Sequence, residues 1–244
     1  MRLLIAIMTC HRLDYYIDDL TQDYINMKGL RCLDQQKRVN TIRDTWVKDI
    51  PPHDPAILQE VEVDYKFFYG SKIRPDGKPN QRTYAAVELR RPLADEVYLD
   101  CGDGYTSNSH KMKAICRWAL KNGYDYVLRC DDDTFIYPEK ILKTNFTRAD
   151  YVGSGEGDFH PGGCLFLSRR AMEIIANAPI TSYIDDWWMG QVLGKAGIPA
   201  THEPAMYNPG GQSYLVNPKT IPVKDFVSFH SCKPDVMREL YAQR

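Results

Sequence analysis

Three adjacent carboxylates, Asp131, Asp132 and Asp133, follow directly on the run Tyr126-Val127-Leu128-Arg129-Cys130 and precede Thr134-Phe135. The run reads as a strand that stops at the acids. Side chains alternate along a strand, so Asp131 and Asp133 are expected on one side and Asp132 on the other. Three anions in so short a segment repel unless cations or solvent offset them. A hard divalent cation, Mg2+ or Mn2+, suits such a cluster of oxygen ligands, and ligands of open α/β sheets gather at the carboxyl ends of strands. The plain alternative is a solvated acidic turn.

Other residues have types and surroundings suited to chemistry. His230 ends the apolar run Phe226-Val227-Ser228-Phe229 and is either a ligand or a satisfied core histidine. Asp185 and Asp186 open a helix, where carboxylates also complement the helix dipole. Trp187 and Trp188 follow them as a sugar-stacking platform, as core anchors, or as one of each. Gly162-Gly163 lets a backbone come close to a ligand. Arg38 and Arg43 lie on one predicted helix, as anion contacts or as a solvated face beside Asp44. His11 and Arg12 follow the first strand, facing a nucleotide or simply solvent.

The elements that must position these residues can be read in order. Leu3–Met8 is a buried first strand, too short and too soon followed by His11-Arg12 to be a signal peptide. A helix is expected from about 34 to 49, with Val39, Ile42 and Trp46 at helical spacing and Pro51-Pro52 ending it. Strands follow at 61–69 and 97–99, separated by a polar Pro/Gly loop at 71–82. Met112, Ile115, Cys116, Ala119 and Leu120 form a helical stripe that stops at Gly123 and delivers the chain to the carboxylate strand. Further predictions are a short helix at Pro138, an extended piece at Tyr151, a helix from Arg169 capped by Ser168, a helix from about Asp185 to Gly197, a loop at Gly210-Gly211-Gln212, a strand at 226–232 and a final helix from Asp235. Strand, helix, strand in this order implies crossovers and a mostly parallel sheet.

With 43% hydrophobic and 26% charged residues, the chain has enough apolar content to bury a core. The net charge of −1 gives no electrostatic case for non-specific nucleic-acid binding. The seven cysteines are odd in number and lack the paired short spacing of a zinc site, which favours a reducing cytoplasm. The sequon Asn145-Phe146-Thr147 is then incidental. No run of the sequence is long enough to span a bilayer.

Taken in order, the motifs resemble the β-1,3-glycosyltransferases of galactosyl-, N-acetylglucosaminyl- and Fringe type (glycosyltransferase family 31). The matching residues are Arg38, Arg43, Thr45 and Trp46 on the helix; Phe67-Phe68-Tyr69-Gly70; Tyr105, Asn108 and, one position early, Lys111; Asp131, Asp132, Asp133 and Phe135; Gly162, Gly163 and Ser168; Asp185-Asp186-Trp187-Trp188-Met189-Gly190; and His230. The likeness spans roughly 36 to 232. Asp185 stands where the family has Glu, and Trp187 where it has Val.

This resemblance implies a single GT-A domain: an α/β, Rossmann-like, mixed but mostly parallel sheet flanked by helices. About 1–135 would bind the nucleotide and about 136–244 the acceptor. It implies a UDP-sugar donor, Mn2+ or Mg2+, a glycan or glycoconjugate acceptor, and inversion at the anomeric carbon. Asp133 and His230 would be metal ligands, and the imidazole suits Mn2+ better than Mg2+. Asp131 would touch the ribose or nucleotide, and Asp132 would meet the nucleotide or brace the loop. Arg38, Arg43 and Lys111 would contact nucleotide or phosphate. Gly162 and Gly163 would shape the donor-sugar pocket. Asp186 would be the general base, with Asp185 as second choice. Competing readings are a metal-dependent nucleotidyltransferase or nuclease, and an inactive carbohydrate-binding module. The family's membrane anchor and stem are missing from the pattern, which points to a cytoplasmic, microbial or viral protein, in host cytoplasm if viral. Modified nucleic acid remains open as an acceptor.

Overall fold

The computed structural model describes residues 1–10, 35–50, 61–70, 92–103, 105–155, 157–207 and 223–244. Cys32, His11, Arg12 and the expected loops at 71–82 and 210–212 lie outside the described residues.

Strand β1 (Arg2–Met8) is buried along nearly its whole length. Its side chains divide by parity between two cores. Leu3, Ile5 and Ile7 join one cluster, and Leu4, Ala6 and Met8 the other. Burial on both faces explains why the strand reads as a continuous apolar run. β2 (Glu62–Gly70) and β4 (Tyr126–Asp131) flank it in parallel, and β3 (Glu96–Leu99) pairs in parallel with β2. β7 (Cys164–Ser168) then runs antiparallel to β4, β6 (Tyr151–Gly153) antiparallel to β7, and β8 (Thr201–His202) parallel to β6. The resulting seven-stranded sheet has the order β3-β2-β1-β4-β7-β6-β8. This is the mixed, helix-flanked sheet expected of a GT-A fold, and β4 and β7 join its two halves without a break.

Helix α1 (Gln35–Asp44) packs Val39 and Ile42 on the odd-numbered face of β1. The helix expected to reach 49 changes at Thr45 into a 3-10 turn, Trp46–Asp49. The hydroxyls of Thr41 and Thr45 donate to the carbonyls of Lys37 (2.8 Å) and Thr41 (2.6 Å), competing with the regular ladder at its last turn. Helices α2 (Asn108–Lys121), α4 (Arg169–Asn177) and α5 (Asp185–Lys195) cover the other face. The short α3 (Pro138–Ile141) precedes β6 in sequence. Gly123 closes the turn after α2 with φ 77°, a conformation that strains any residue carrying a Cβ. Ser168 caps α4 by accepting from the Ala171 amide at 3.2 Å, as expected.

A second, three-stranded sheet escapes the sequence reading. β5 (Phe135–Ile136) pairs antiparallel with β10 (Ser228–Phe229), which pairs in parallel with β9 (Met206–Tyr207). The strand expected over 226–232 is thus two residues long, preceded by a 3-10 turn at Val223–Asp225. Helix α6 (Pro234–Ala242) adds Met237 and Leu240 to the core behind it. The described cysteines, Cys10, Cys101, Cys116, Cys130, Cys164 and Cys232, are all buried and free, where a thiol packs as a small hydrophobe.

Candidate active site

Both sheets converge on the carboxylate triplet. The parallel register sets Asp131 beside Met8, at the carboxyl end of the central strands. The chain then turns, with the Thr134 amide donating to the Asp131 carbonyl at 3.1 Å and the Thr134 hydroxyl to the Gly163 carbonyl at 2.8 Å. Phe135 pairs with Phe229, and that register brings His230 back to the turn from the far end of the chain. The Cys232 amide completes the closure by donating to the Asp133 carbonyl at 2.8 Å.

Asp131 closes β4 while Asp132 and Asp133 lie in the turn after it, and the three side chains still divide as expected. On one side, His230 Nε2 lies 3.3 Å from Asp133 Oδ1 and 3.7 Å from Asp131 Oδ2. One ligand atom from each of Asp131, Asp133 and His230 falls within 4.8 Å of the others, and all three side chains are half-buried. On the other side, Asp132 is buried and accepts from the Thr9 hydroxyl at 2.6 Å and from Arg38 at 2.9 Å. Arg38 also stands 3.6 Å from Asp133.

The electrostatics of the group follow from crowding. Burial pushes the Asp131 carboxyl well above the usual range, and Asp133 and Asp185 add to the shift despite Arg129 and His230. Burial acts the same way on Asp133, but the His230 imidazolium and Arg38 outweigh it and hold that carboxyl below its usual value. His230 is raised: burial opposes its charge, and Asp133 and Asp131 outweigh burial. Two close carboxylates thus depend on neighbouring positive charge. Asp133 Oδ1 is buried without a hydrogen bond. Two carboxylates and an imidazole gathered this closely fit a divalent cation, and this donor set suits Mn2+.

Asp186 sits in the first turn of α5. Its Oδ2 accepts from the Gly162 amide at 3.0 Å and its Oδ1 from the Trp187 amide at 2.7 Å. Burial and the neighbouring Asp185 raise its pKa. Asp185 itself is buried and bonded to Arg129 at 2.8 Å. The two tryptophans part company. Trp188 is fully buried and donates to the Pro179 carbonyl at 2.9 Å, whereas Trp187 is 42% exposed beside Asp186.

The glycine pair meets protein on the flank that the structure describes. A Cβ on Gly163 would lie 2.5 Å from His230 Cβ, and one on Gly162 would lie 2.8 Å from Arg129 Nη1. The structure does not bring Arg43 or Lys111 into the group. Arg43 grips Asp95 (2.8 and 3.0 Å) and Glu96 (2.7 Å) beside β3. Lys111 is buried, and its ammonium donates to the Thr9 carbonyl at 2.6 Å and to Asp103 Oδ1 and the Asp103 carbonyl at 3.1 and 3.3 Å. It braces the end of β1, and Asp103 in turn accepts from the Gly70 amide at 2.6 Å.

Sequence reasoning passed over Arg129, Thr9 and Asp103. The signal for Arg129 was available: an arginine inside an otherwise apolar strand must find buried partners.

Residues 37–152 match the family model described as Galactosyltransferase. That segment runs from α1 through the carboxylate triplet and stops before Asp186 and His230. No curated protein matches significantly. Among solved structures, the chain is similar to a protein described as a nucleotide-diphospho-sugar transferase from Desulfovibrio desulfuricans G20, with 13% identity, TM-score 0.42, and 83% of this chain and 79% of that one covered. It is similar to a glycosyltransferase involved in glycosylation of the major capsid of PBCV-1, with 14% identity, TM-score 0.41 and 98% of each chain covered. It is also similar to an active-site mutant of LgtC, with 12% identity, TM-score 0.37, and 100% of this chain and 96% of that one covered. Among the described residues, no helix is long and apolar enough to cross a membrane.

Proposed function

We propose, for a chain whose galactosyltransferase-type segment makes it a glycosyltransferase, that it moves a sugar with inversion from a nucleotide sugar, a UDP-sugar by preference, to a hydroxyl of a glycan or glycoconjugate. The observation that carries this reading is the meeting of Asp131, Asp133 and His230 within 4.8 Å at the carboxyl end of the parallel strands. Asp131, Asp133 and His230 would hold Mn2+ or Mg2+ there. A divalent cation so held supplies positive charge to the oxygens of a departing diphosphate.

The chain's own residues divide the remaining work. Asp186 takes the proton of the acceptor hydroxyl as that oxygen bonds to the anomeric carbon, while the bond from the same carbon to the diphosphate oxygen breaks on the opposite face. The amides of Gly162 and Trp187 fix the plane of the Asp186 carboxylate. Burial makes it more basic than a solvated aspartate, as a general base requires. Asp132 and Arg38 hold the turn from behind. Residues up to about 135 serve the nucleotide and those after it the acceptor.

The test is a panel of nucleotide sugars offered with and without Mn2+. At least one donor raises the melting temperature only when Mn2+ is present, because a ligand that binds the native state stabilises it by mass action. The same donor is hydrolysed or transferred in a reaction lost in Asp133→Ala and Asp186→Asn. Full turnover in both variants overturns the assignment.

A further inference from the structure

We propose that Arg129 is a positioning residue that locks the cation group and the candidate base into one fixed relation. The inference rests on the reading of Asp131, Asp133, His230 and Asp186 just given.

Arg129 is fully buried, and the N–H groups of both its terminal nitrogens are engaged. Nη2 meets Asp131 Oδ1 at 3.0 Å, and Nη1 meets Asp131 Oδ2 at 3.1 Å, a two-pronged grip that fixes the plane of that carboxylate. Nη2 also donates to Asp185 Oδ2 at 2.8 Å, and Nη1 donates to the Gly162 carbonyl. Gly162 is the same residue whose amide holds Asp186. One guanidinium therefore ties β4, the glycine turn and the start of α5, and it has the cation group on one side and the base on the other. A Cβ at 162 would stand 2.8 Å from Nη1, so any larger residue there must push the guanidinium out of this grip. A lysine offers a single ammonium in place of the planar fork, so it can neutralise the carboxylates without fixing their planes.

That difference supplies the experiment. Arg129→Met takes the guanidinium from the buried Asp185 and the half-buried Asp131 and is expected to fold poorly. Arg129→Lys is the informative variant, with Asp185→Asn beside it. Mn2+ affinity is read by the electron paramagnetic resonance signal of free Mn2+, and turnover by Mn2+-dependent hydrolysis of the nucleotide sugar that stabilises the wild type. Arg129→Lys is expected to melt cooperatively, to bind Mn2+ about tenfold more weakly and to lose about tenfold or more in kcat. Asp185→Asn is expected to lose kcat with Mn2+ affinity within about twofold of wild type, because Asp185 starts the helix that carries Asp186 and is not itself one of the three candidate ligands. If Arg129→Lys alters metal affinity or kcat alone, or neither, while Asp186→Asn is inactive, the lock is refuted and the base survives. If Asp186→Asn retains full turnover, the underlying reading fails instead.

Discussion

Three identical side chains in succession at the end of β4 meet two different environments. Asp131 and Asp133 face a half-buried group completed by His230, with an oxygen of Asp133 left without a hydrogen bond. Asp132, between them, is buried against Thr9 and Arg38 with both oxygens bonded. The first side is poised for a partner from outside; the second is already complete. β4 ends at Asp131, and the turn that follows sends Asp132 and Asp133 apart, so one short motif supplies both a candidate site and its foundation.

The comparison can be broken most sharply at Asp133. Asp133→Ala removes a candidate ligand and is expected to cut turnover on the order of a thousandfold, the equivalent of several kcal/mol of charge stabilisation. Its melting temperature without metal should stay close to wild type, and the Mn2+-dependent rise should vanish. Asp186→Asn should lower kcat by about a hundred- to ten-thousandfold while leaving the Mn2+-dependent rise intact. Asp132→Ala should show the opposite pattern. Removing the buried carboxylate that Arg38 and Thr9 both bond is expected to cost about 3–5 kcal/mol, or roughly 2–4 °C of melting temperature per kcal/mol for a chain of this size. Denaturant titration checks this, and Mn2+ affinity measured on the folded protein should change little. If Asp132→Ala instead abolishes Mn2+ binding in the folded protein, the division between site and foundation is wrong.

The tryptophans sharpen the same contrast on α5. Trp188→Ala should destabilise by about 3–5 kcal/mol, as expected for a fully buried indole. Trp187→Ala should change stability by no more than about 0.5 kcal/mol, so any effect it has belongs to the KM for acceptor. The sequence left the two roles open, and only burial separates them.

Much of this arrangement was legible in the sequence. Periodicity found α1 from Val39, Ile42 and Trp46, and it found α2 from the stripe that ends before Gly123. The order of motifs joined His230 to the triplet although most of the described second half separates them. The second sheet was invisible because its strands pair over only two residues, too short for any alternation to register. Lys111 and Arg43 looked like phosphate contacts because their charge is visible in sequence, while Asp103, Asp95 and Glu96, which engage them, are set by tertiary packing. Arg129 was passed over for the converse reason, since an apolar strand reading absorbs its one charge as an exception although that charge was the signal.

The amide of Cys232 fastened to the carbonyl of Asp133 carries a lasting consequence. His230 is mounted on main chain already stitched to its partner, and Ser231 bends back in the left-handed region (φ 65°) to make that stitch. The imidazole therefore needs little reordering to serve as the ligand proposed for it. Loosening α6, which begins at Pro234 just beyond that stitch, would be expected to unship the histidine from a distance and weaken the proposed metal binding.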